Sequence, residues 1–216
     1  MVTRSEILVR GIVQGVGFRP FVYSQASRRA LRGRVRNNIT GVLIEVEGKH
    51  GDIEKFIGDL TSNAPPLSLI ESVECNHNLA PADYLDFVIL ESTRDTQQGE
   101  KFVPISADVS TCDDCLKELF DPQDRRYQYP FINCTNCGPR FTIIEDIPYD
   151  RANTTMRDFE MCADCRAEYE NPLDRRFHAE PTGCPVCGPQ LYLLSSDDGG
   201  VRGARRSCPG RHRDRR

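Results

Sequence analysis

Eight cysteines arranged in two matching units constrain this chain more than any other feature. Cys112 and Cys115 form one C-x2-C pair, and eighteen residues separate Cys115 from the next pair, Cys134 and Cys137. The same unit returns fifty residues further on. Its members are Cys162, Cys165, Cys184 and Cys187. A repeat of C-x2-C-x18-C-x2-C predicts two copies of one small module, each built around a closed set of four thiolate metal ligands.

The surroundings of the cysteines favour zinc. No run approaches the ~18 apolar residues of a membrane-spanning helix, and the first ten residues have no signal-like apolar stretch, so we expect a cytoplasmic chain without a membrane partner. Cytosolic thiols stay reduced, which disfavours disulfides. A redox-active C-x2-C pair and an iron–sulfur cluster are two further alternatives to a zinc site. We predict two structural zinc ions per chain, since four cysteines leave no open coordination position.

Spacing alone does not show which cysteine pairs bind the same zinc ion. We expect each zinc to take its four ligands from one unit. Cysteine pairs from different units could also share a zinc and satisfy the same pattern. His178 lies between two cysteine pairs and is a spare candidate ligand, which a complete thiolate set makes unnecessary. Cys75 and Cys208 stand outside both units, and Cys75 is expected to be a packed thiol in a strand.

The first 91 residues have the pattern of an α+β domain. A strand from Glu6 to Val13 precedes a glycine turn, and a helix with Val22, Ala26 and Ala30 on one face follows, closed by Gly33. Later segments complete a β-α-β-β-α-β order of the ferredoxin-like kind. They are a strand from about Arg34, a strand over 42–46 with Glu45 and Glu47 on its open face, a helix with Ile53, Phe56, Ile57 and Leu60, and strands at 67–73 and 85–90.

The chain therefore divides into four parts. We predict a first domain over 1–91, a polar linker over 92–107, a tandem zinc-finger domain over 108–194 and a disordered basic tail over 195–216. Residues 1–40 hold eight arginines and one acid, a net charge of +7, whereas residues 108–190 hold nine basic and sixteen acidic residues, a net charge of -7. The acidic zinc region argues against nucleic acid as a partner.

A glycine-rich turn joins the first strand to the first helix. Main-chain amides in such a turn, together with the N-terminus of the helix, favour a bound anion. The residues concerned are Gln14, Gly15, Val16, Gly17 and Phe18, followed by Arg19. The guanidinium of Arg19 offers a planar set of donors suited to phosphate, although glycine turns and surface arginines also occur without any ligand.

Two motifs in this part resemble the signatures of the acylphosphatase family. They are VRGIVQGVGFRPFVY and GRVRNNITG, within a resemblance that spans about residues 5–91. The resemblance implies a ferredoxin-like fold in which the loop and Arg19 hold a phosphoryl group, while Asn37 orients the attacking water. Arg34 stands where that family commonly has an aromatic residue.

Residues 108–189 resemble the zinc region of the HypF-type carbamoyltransferases, a family of hydrogenase maturation proteins. The stretches RRYQYPFINCTNCGPRFTIIEDIPYDR and NPLDRRFHAEPTGCPVCGP carry this resemblance. It implies that an intact member uses carbamoyl phosphate and ATP and passes a carbamoyl group to a HypE-type partner. The arginine-rich tail does not resemble the nucleotide-binding and transfer domains of that family. We therefore expect a fragment or a prematurely ended reading frame in which hydrolysis of carbamoyl phosphate, or of another acyl phosphate, survives.

Two other functions are consistent with the sequence. One is a stand-alone acylphosphatase with an attached zinc interaction module. The other is a nucleic-acid-binding zinc-finger protein, which the acidic charge of the zinc region disfavours.

Overall fold

A computed structural model describes residues 2–93, 104–191, 193–194 and 201–202. The first part of the chain folds into a five-stranded sheet covered by two helices. Its elements are β1 Val2–Ile12, α1 Phe18–Arg28, β2 Arg32–Asn38, β3 Gly41–Lys49, α2 His50–Ser62, β4 Leu69–Leu79 and β5 Phe87–Ile89. This arrangement confirms the α+β, ferredoxin-like class.

The strand order in this sheet is β4-β1-β3-β2-β5. β1 pairs antiparallel with β3 and β4, and β2 pairs antiparallel with β3. The short β5 adds to the β2 edge in a parallel direction. Apolar side chains of β1, β3 and both helices meet on one face of the sheet and form the core, among them Ile7, Ile44, Val22 and Phe56.

The structure differs from the sequence expectations at three points in the first part of the chain. Ala30 is exposed and has a φ of 49°, so it lies beyond the end of α1 rather than on its buried face. Gly33 lies inside β2 and does not close the helix. Glu45 and Glu47 are buried, because Arg4, Arg34 and the Tyr84 hydroxyl surround Glu45 and the amides of Ala82 and Asp83 donate to Glu47.

Short helices and turns make up the second part of the chain. Its elements are α3 Asp113–Phe120, α4 Ala163–Glu170, and the 3-10 helices Arg151–Asn153 and Thr155–Asp158. Leu193–Leu194 pairs with Val201–Arg202 as β6 and β7, and only β7 lies in the segment 195–216 for which disorder is predicted. The rest of that tail, with Cys208, and residues 94–103 of the predicted linker lie outside the described residues. None of the described helices is long and apolar enough to cross a membrane.

Candidate functional site

The eight cysteines form two clusters, each drawn from one sequence unit. Cys112, Cys115, Cys134 and Cys137 bring their sulfur atoms within 4.8 Å of one another, and the second unit does the same. Neighbouring sulfurs lie 3.4–3.7 Å apart in the first cluster and 3.6–3.8 Å apart in the second. Four thiolates around a tetrahedral ion with ~2.3 Å bonds would have edges of about 3.8 Å. The clusters therefore have the size of a metal site, and their partition is sequential rather than interleaved.

Local backbone structure points the sulfurs of the first cluster inward. Cys112 caps the N-terminus of α3 and Cys115 lies in its first turn, where the helix amides and dipole favour a thiolate. In the second pair the amide of Asn136 donates to the sulfur of Cys134 at 3.3 Å. Gly138 follows this turn with a φ of 97°, a conformation that glycine adopts without strain. In the unit at 162–187, Cys162 occupies the N-cap position of α4 and the amide of Val186 donates to the sulfur of Cys184 at 3.4 Å, but Gly188 does not share the positive φ of Gly138.

Contacts between thiols shift their acidity in opposite directions. In the first cluster, hydrogen bonds with Cys134 and Cys137 raise the pKa of Cys115. The hydrogen bond between Cys115 and Cys137 lowers the pKa of Cys137. This direction favours the thiolate, the form of cysteine that binds metal.

Each unit supplies arginines to the other unit. Arg125 of the first unit donates to the sulfur of Cys165 in the second at 3.2 Å, and both Arg125 and Arg126 pair with Glu168 of the second. The reciprocal contacts join Arg175 to Cys115 at 3.0 Å, and Arg175 and Arg176 to Glu118. Four thiolates around a divalent cation carry a net charge of -2, which such donors offset. We call this feature the crossed arginines.

The predicted phosphate loop lies between the two parts of the chain. Gly15 and Gly17 have φ values of 71° and 75°, which opens the turn ahead of α1. Within the described residues, no protein group accepts a hydrogen bond from the main-chain amides of residues 15–19. Gln14 holds the loop to the sheet through bonds to the carbonyls of Asn38 and Gly41, at 2.8 and 2.9 Å.

Arg19 lies beside this loop and is nearly buried, with 7% of its surface exposed. Its Nη1 pairs with Asp150 at 2.8 Å and its Nη2 with Glu180 at 2.7 Å, and both carboxylates come from the zinc region. Burial alone would lower the pKa of Arg19, but Asp150 and Glu180 outweigh it and raise the pKa. Burial likewise raises the pKa of Glu180, and Arg19 opposes that rise.

A cavity lies beside the loop, and its lining residues include Arg19 and Glu180. Asn37 lines this cavity from β2. Its Nδ2 donates to the carbonyl of Tyr149 at 3.2 Å, which fixes which end of the amide points where. The Oδ1 of Asn37 is buried and has no hydrogen-bond partner among the described residues. An unpaired buried acceptor of this kind is rare in folded proteins and is suited to a donor from a ligand or a water.

His178 lies near Arg19 and belongs to neither of the two cysteine clusters. Its ring packs against Tyr169 and Phe177, and it lines the same cavity as Arg19. Its φ of 52° is unusual for a residue other than glycine. Burial, with a further contribution from Arg19, lowers the pKa of His178 to about 4, which keeps the ring neutral at pH 7.

Sequence reasoning missed the residues of the zinc region that close this cavity. Arg140 is 1% exposed and donates to the carbonyl of Gly15 at 2.8 Å, while the amide of Tyr149 donates to Gln14 at 3.0 Å. Glu180 also lines the cavity, and Asp150 pairs with Arg19 from outside the set of lining residues. A signal was present in the opposite charges of residues 1–40 and 108–190, which meet at Arg19.

Family comparisons match both parts of the chain. The acylphosphatase family matches residues 5–89, and the HypF finger family matches residues 111–144 and 161–194. This chain belongs to the HypF family. It corresponds to the acylphosphatase-like domain and the zinc-finger cysteine clusters of a HypF-type carbamoyltransferase.

Similar proteins of known name support the same placement. A probable carbamoyltransferase HypF of Methanocaldococcus jannaschii is 54% identical over 148 residues, which are 68% of this chain and 19% of that protein. A full-length HypF solved in a phosphate- and nucleotide-bound form is 51% identical, with a TM-score of 0.84 over 92% of this chain and 26% of that one. An acylphosphatase of Dehalococcoides mccartyi is 39% identical over 84 residues, which are 38% of this chain and 91% of that protein. The chain spans about a fifth of the length of the HypF relatives.

Proposed function

We propose that the cavity between the loop and the zinc region hydrolyses an acyl phosphate, with carbamoyl phosphate as its substrate. One observation carries this proposal: Arg19, Asn37 and residues of the loop line the same cavity, and the Oδ1 of Asn37 and the loop amides have no hydrogen-bond partner among the described residues. The amides and Arg19 supply donors for phosphoryl oxygens, and Asn37 supplies an acceptor for water. Carbamoyl phosphate is favoured because the HypF relatives carry the name carbamoyltransferase.

The reaction that this site supports is attack of water on phosphorus. The oxygen of water forms a bond to phosphorus, the bond from phosphorus to the acyl oxygen breaks, and carbamate leaves with the electron pair. The protons of water remain on the inorganic phosphate, so the products are carbamate and dihydrogen phosphate. Asn37 would accept a hydrogen bond from the water, while Arg19 and the loop amides stabilise charge on the phosphoryl oxygens.

Two zinc ions would hold the second part of the chain in place. The cysteine sulfurs have the number, type and separation that a tetrahedral zinc site requires, and four thiolates leave no position for a substrate. Zinc would therefore supply folding energy rather than catalysis. We also propose that the intact protein acts on a HypE-type partner and is located in the cytoplasm. The proposed boundaries between the parts of the chain lie at residues 91, 107 and 194.

A hydrolysis assay combined with metal analysis tests this function. Phosphate release from carbamoyl phosphate is measured for the zinc-loaded chain and for Asn37→Ala, which removes the acceptor for water. We expect activity in the parent chain, a large loss of kcat in the variant and two zinc ions in both. A chain that contains its metal but releases no phosphate would contradict the proposed reaction.

A further inference from the structure

The two carboxylates on Arg19 differ in how firmly they are held. Glu180 is fixed, since its Oε2 accepts from the amide of Arg151 at 3.0 Å and from the hydroxyl of Tyr169 at 2.9 Å. Asp150 is partly exposed, and its carboxylate has no described partner other than Nη1 of Arg19. Asp150 can therefore leave Arg19 by a side-chain rotation, whereas Glu180 cannot.

A phosphoryl group that binds the guanidinium of Arg19 competes with Asp150, which is already paired with it. The guanidinium that would hold the phosphoryl oxygens already donates to two carboxylates, and an added anion raises the negative charge around one cation. Asp150 must then give up its bond to Arg19. Asp150 is partly exposed, so water replaces only part of the charge-assisted bond that it loses, and another donor in its place restores the rest.

The acyl group of the substrate decides whether such a donor is present. The amino group of carbamoyl phosphate carries two N–H bonds, and the methyl group of acetyl phosphate carries none. We propose that Asp150 is a specificity-determining residue of the acyl phosphate site, exchanging its bond to Arg19 for a bond from the amino group of the substrate. This inference rests on the proposed function. Selection arises because an acyl phosphate without a donor leaves the displaced carboxylate unpaired.

The comparisons place this device outside the acylphosphatase domain itself. The match to the Dehalococcoides mccartyi acylphosphatase takes in 91% of that protein, and the acylphosphatase family ends at residue 89 here. Asp150 and Glu180 come from the region that follows. The loop and Arg19 thus bind the phosphoryl group that all acyl phosphates share, and the zinc region distinguishes their acyl groups.

The test compares two substrates and two inert analogues with the zinc-loaded chain. Values of kcat/KM are measured for carbamoyl and acetyl phosphate. Binding of phosphonoacetamide, which has the amino group, and of acetonylphosphonate, which has a methyl group in its place, is measured by calorimetry. The variants are Asp150→Ala, Asp150→Asn and, as a control, Asp158→Ala, whose side chain is 78% exposed. Metal content and circular dichroism establish that each variant folds.

The parent chain is expected to prefer the amino-bearing member of each pair by at least about tenfold. Asp150→Ala should bring both ratios close to one, mainly by improving acetyl phosphate, because the competing carboxylate is gone. Asp150→Asn keeps an acceptor oxygen and should retain part of the preference, and Asp158→Ala should retain all of it. Unchanged ratios in Asp150→Ala, or no preference in the parent chain, would overturn the inference.

The two measurements separate this inference from the proposed function. If the chain hydrolyses neither substrate but prefers phosphonoacetamide, and Asp150→Ala removes that preference, then the proposed hydrolysis fails and the role of Asp150 stands. If hydrolysis occurs and Asp150→Ala changes both substrates by the same factor, then Asp150 merely competes with phosphate or supports the fold, and the inference fails alone.

Discussion

Replacing Arg126 with alanine is expected to weaken the metal unit to which Arg126 does not belong. Arg126 lies in the first unit and is 1% exposed, but it donates to Glu168 and to the carbonyl of Gly183, both in the second unit. The crossed arginines therefore predict that cysteines of the second unit, Cys162 and Cys165 among them, become reactive toward alkylation before those of the first unit. Proximity in the sequence would predict that the first unit, which contains Arg126, becomes reactive first.

The magnitude follows from the contacts that are lost. Burial pushes the pKa of Glu168 up, but hydrogen bonds from Arg126 and Arg125 overcome it and bring the pKa from 4.5 to about 2. A shift of this size corresponds to about 3 kcal/mol, which the two arginines share. The bond from Arg126 to the buried carbonyl of Gly183 contributes about 1 kcal/mol more. We expect Arg126→Ala to lower the free energy of opening of the second unit by about 2–3 kcal/mol.

Two assays follow this change. A colorimetric chelator reports the rate at which metal leaves, and pulsed alkylation read by mass spectrometry shows which cysteines become reactive. Metal loss and alkylation at Cys162 and Cys165 should accelerate roughly thirtyfold or more in Arg126→Ala if they follow the opening equilibrium. Arg176→Ala should instead affect Cys112 and Cys115. Arg157→Ala, at a side chain 48% exposed, is the control. Earlier alkylation of the first unit in Arg126→Ala would refute the reasoning.

Three further outcomes are expected. Arg19→Ala should abolish phosphate release while the chain keeps two metal ions, and hydrolysis at the parent rate would remove Arg19 from the mechanism. Cys115→Ser should lose one metal ion, as elemental analysis would show, whereas retention of both would contradict the ligand set. The pKa of His178 lies near 4 in the folded chain and about 6.5 when unfolded, so its contribution is complete above pH 6.5 and declines as the pH falls toward 4. His178→Gln should remove a pH dependence of about 3 kcal/mol from the unfolding free energy, and an unchanged profile would exclude this group.

Local patterns in the sequence predicted most of the fold. Strand alternation and the helical spacing of Ile53, Phe56 and Leu60 report burial directly, because those side chains meet the core that their period predicts. The same reasoning failed at Glu45, since its burial depends on cations from Arg4 and Arg34 on neighbouring strands. Period two marks which face a residue occupies, but it does not show what covers that face.

Only part of the candidate site could be predicted from the sequence, because the rest depends on contacts between distant segments. Arg19 lies within a recognisable phosphate-loop motif, whereas its partners Asp150 and Glu180 are more than a hundred residues away. They lie in stretches whose sequence resembles a zinc region and gives no sign of a part in the phosphate site. Opposite net charges showed that the two parts could attract each other. They did not show which carboxylates would meet which guanidinium, because that depends on the packing of the zinc region against the loop.

Asp150 lies in the connection between the two cysteine units, after Cys137 and before Cys162. Both ends of this connection belong to a cysteine cluster, while its middle reaches Arg19. Under the role proposed for Asp150, substitutions in this connection alter the chemistry presented to a substrate while every cysteine stays in place. Proteins with identical finger spacing would then diverge in the acyl groups they accept through variation at this one segment.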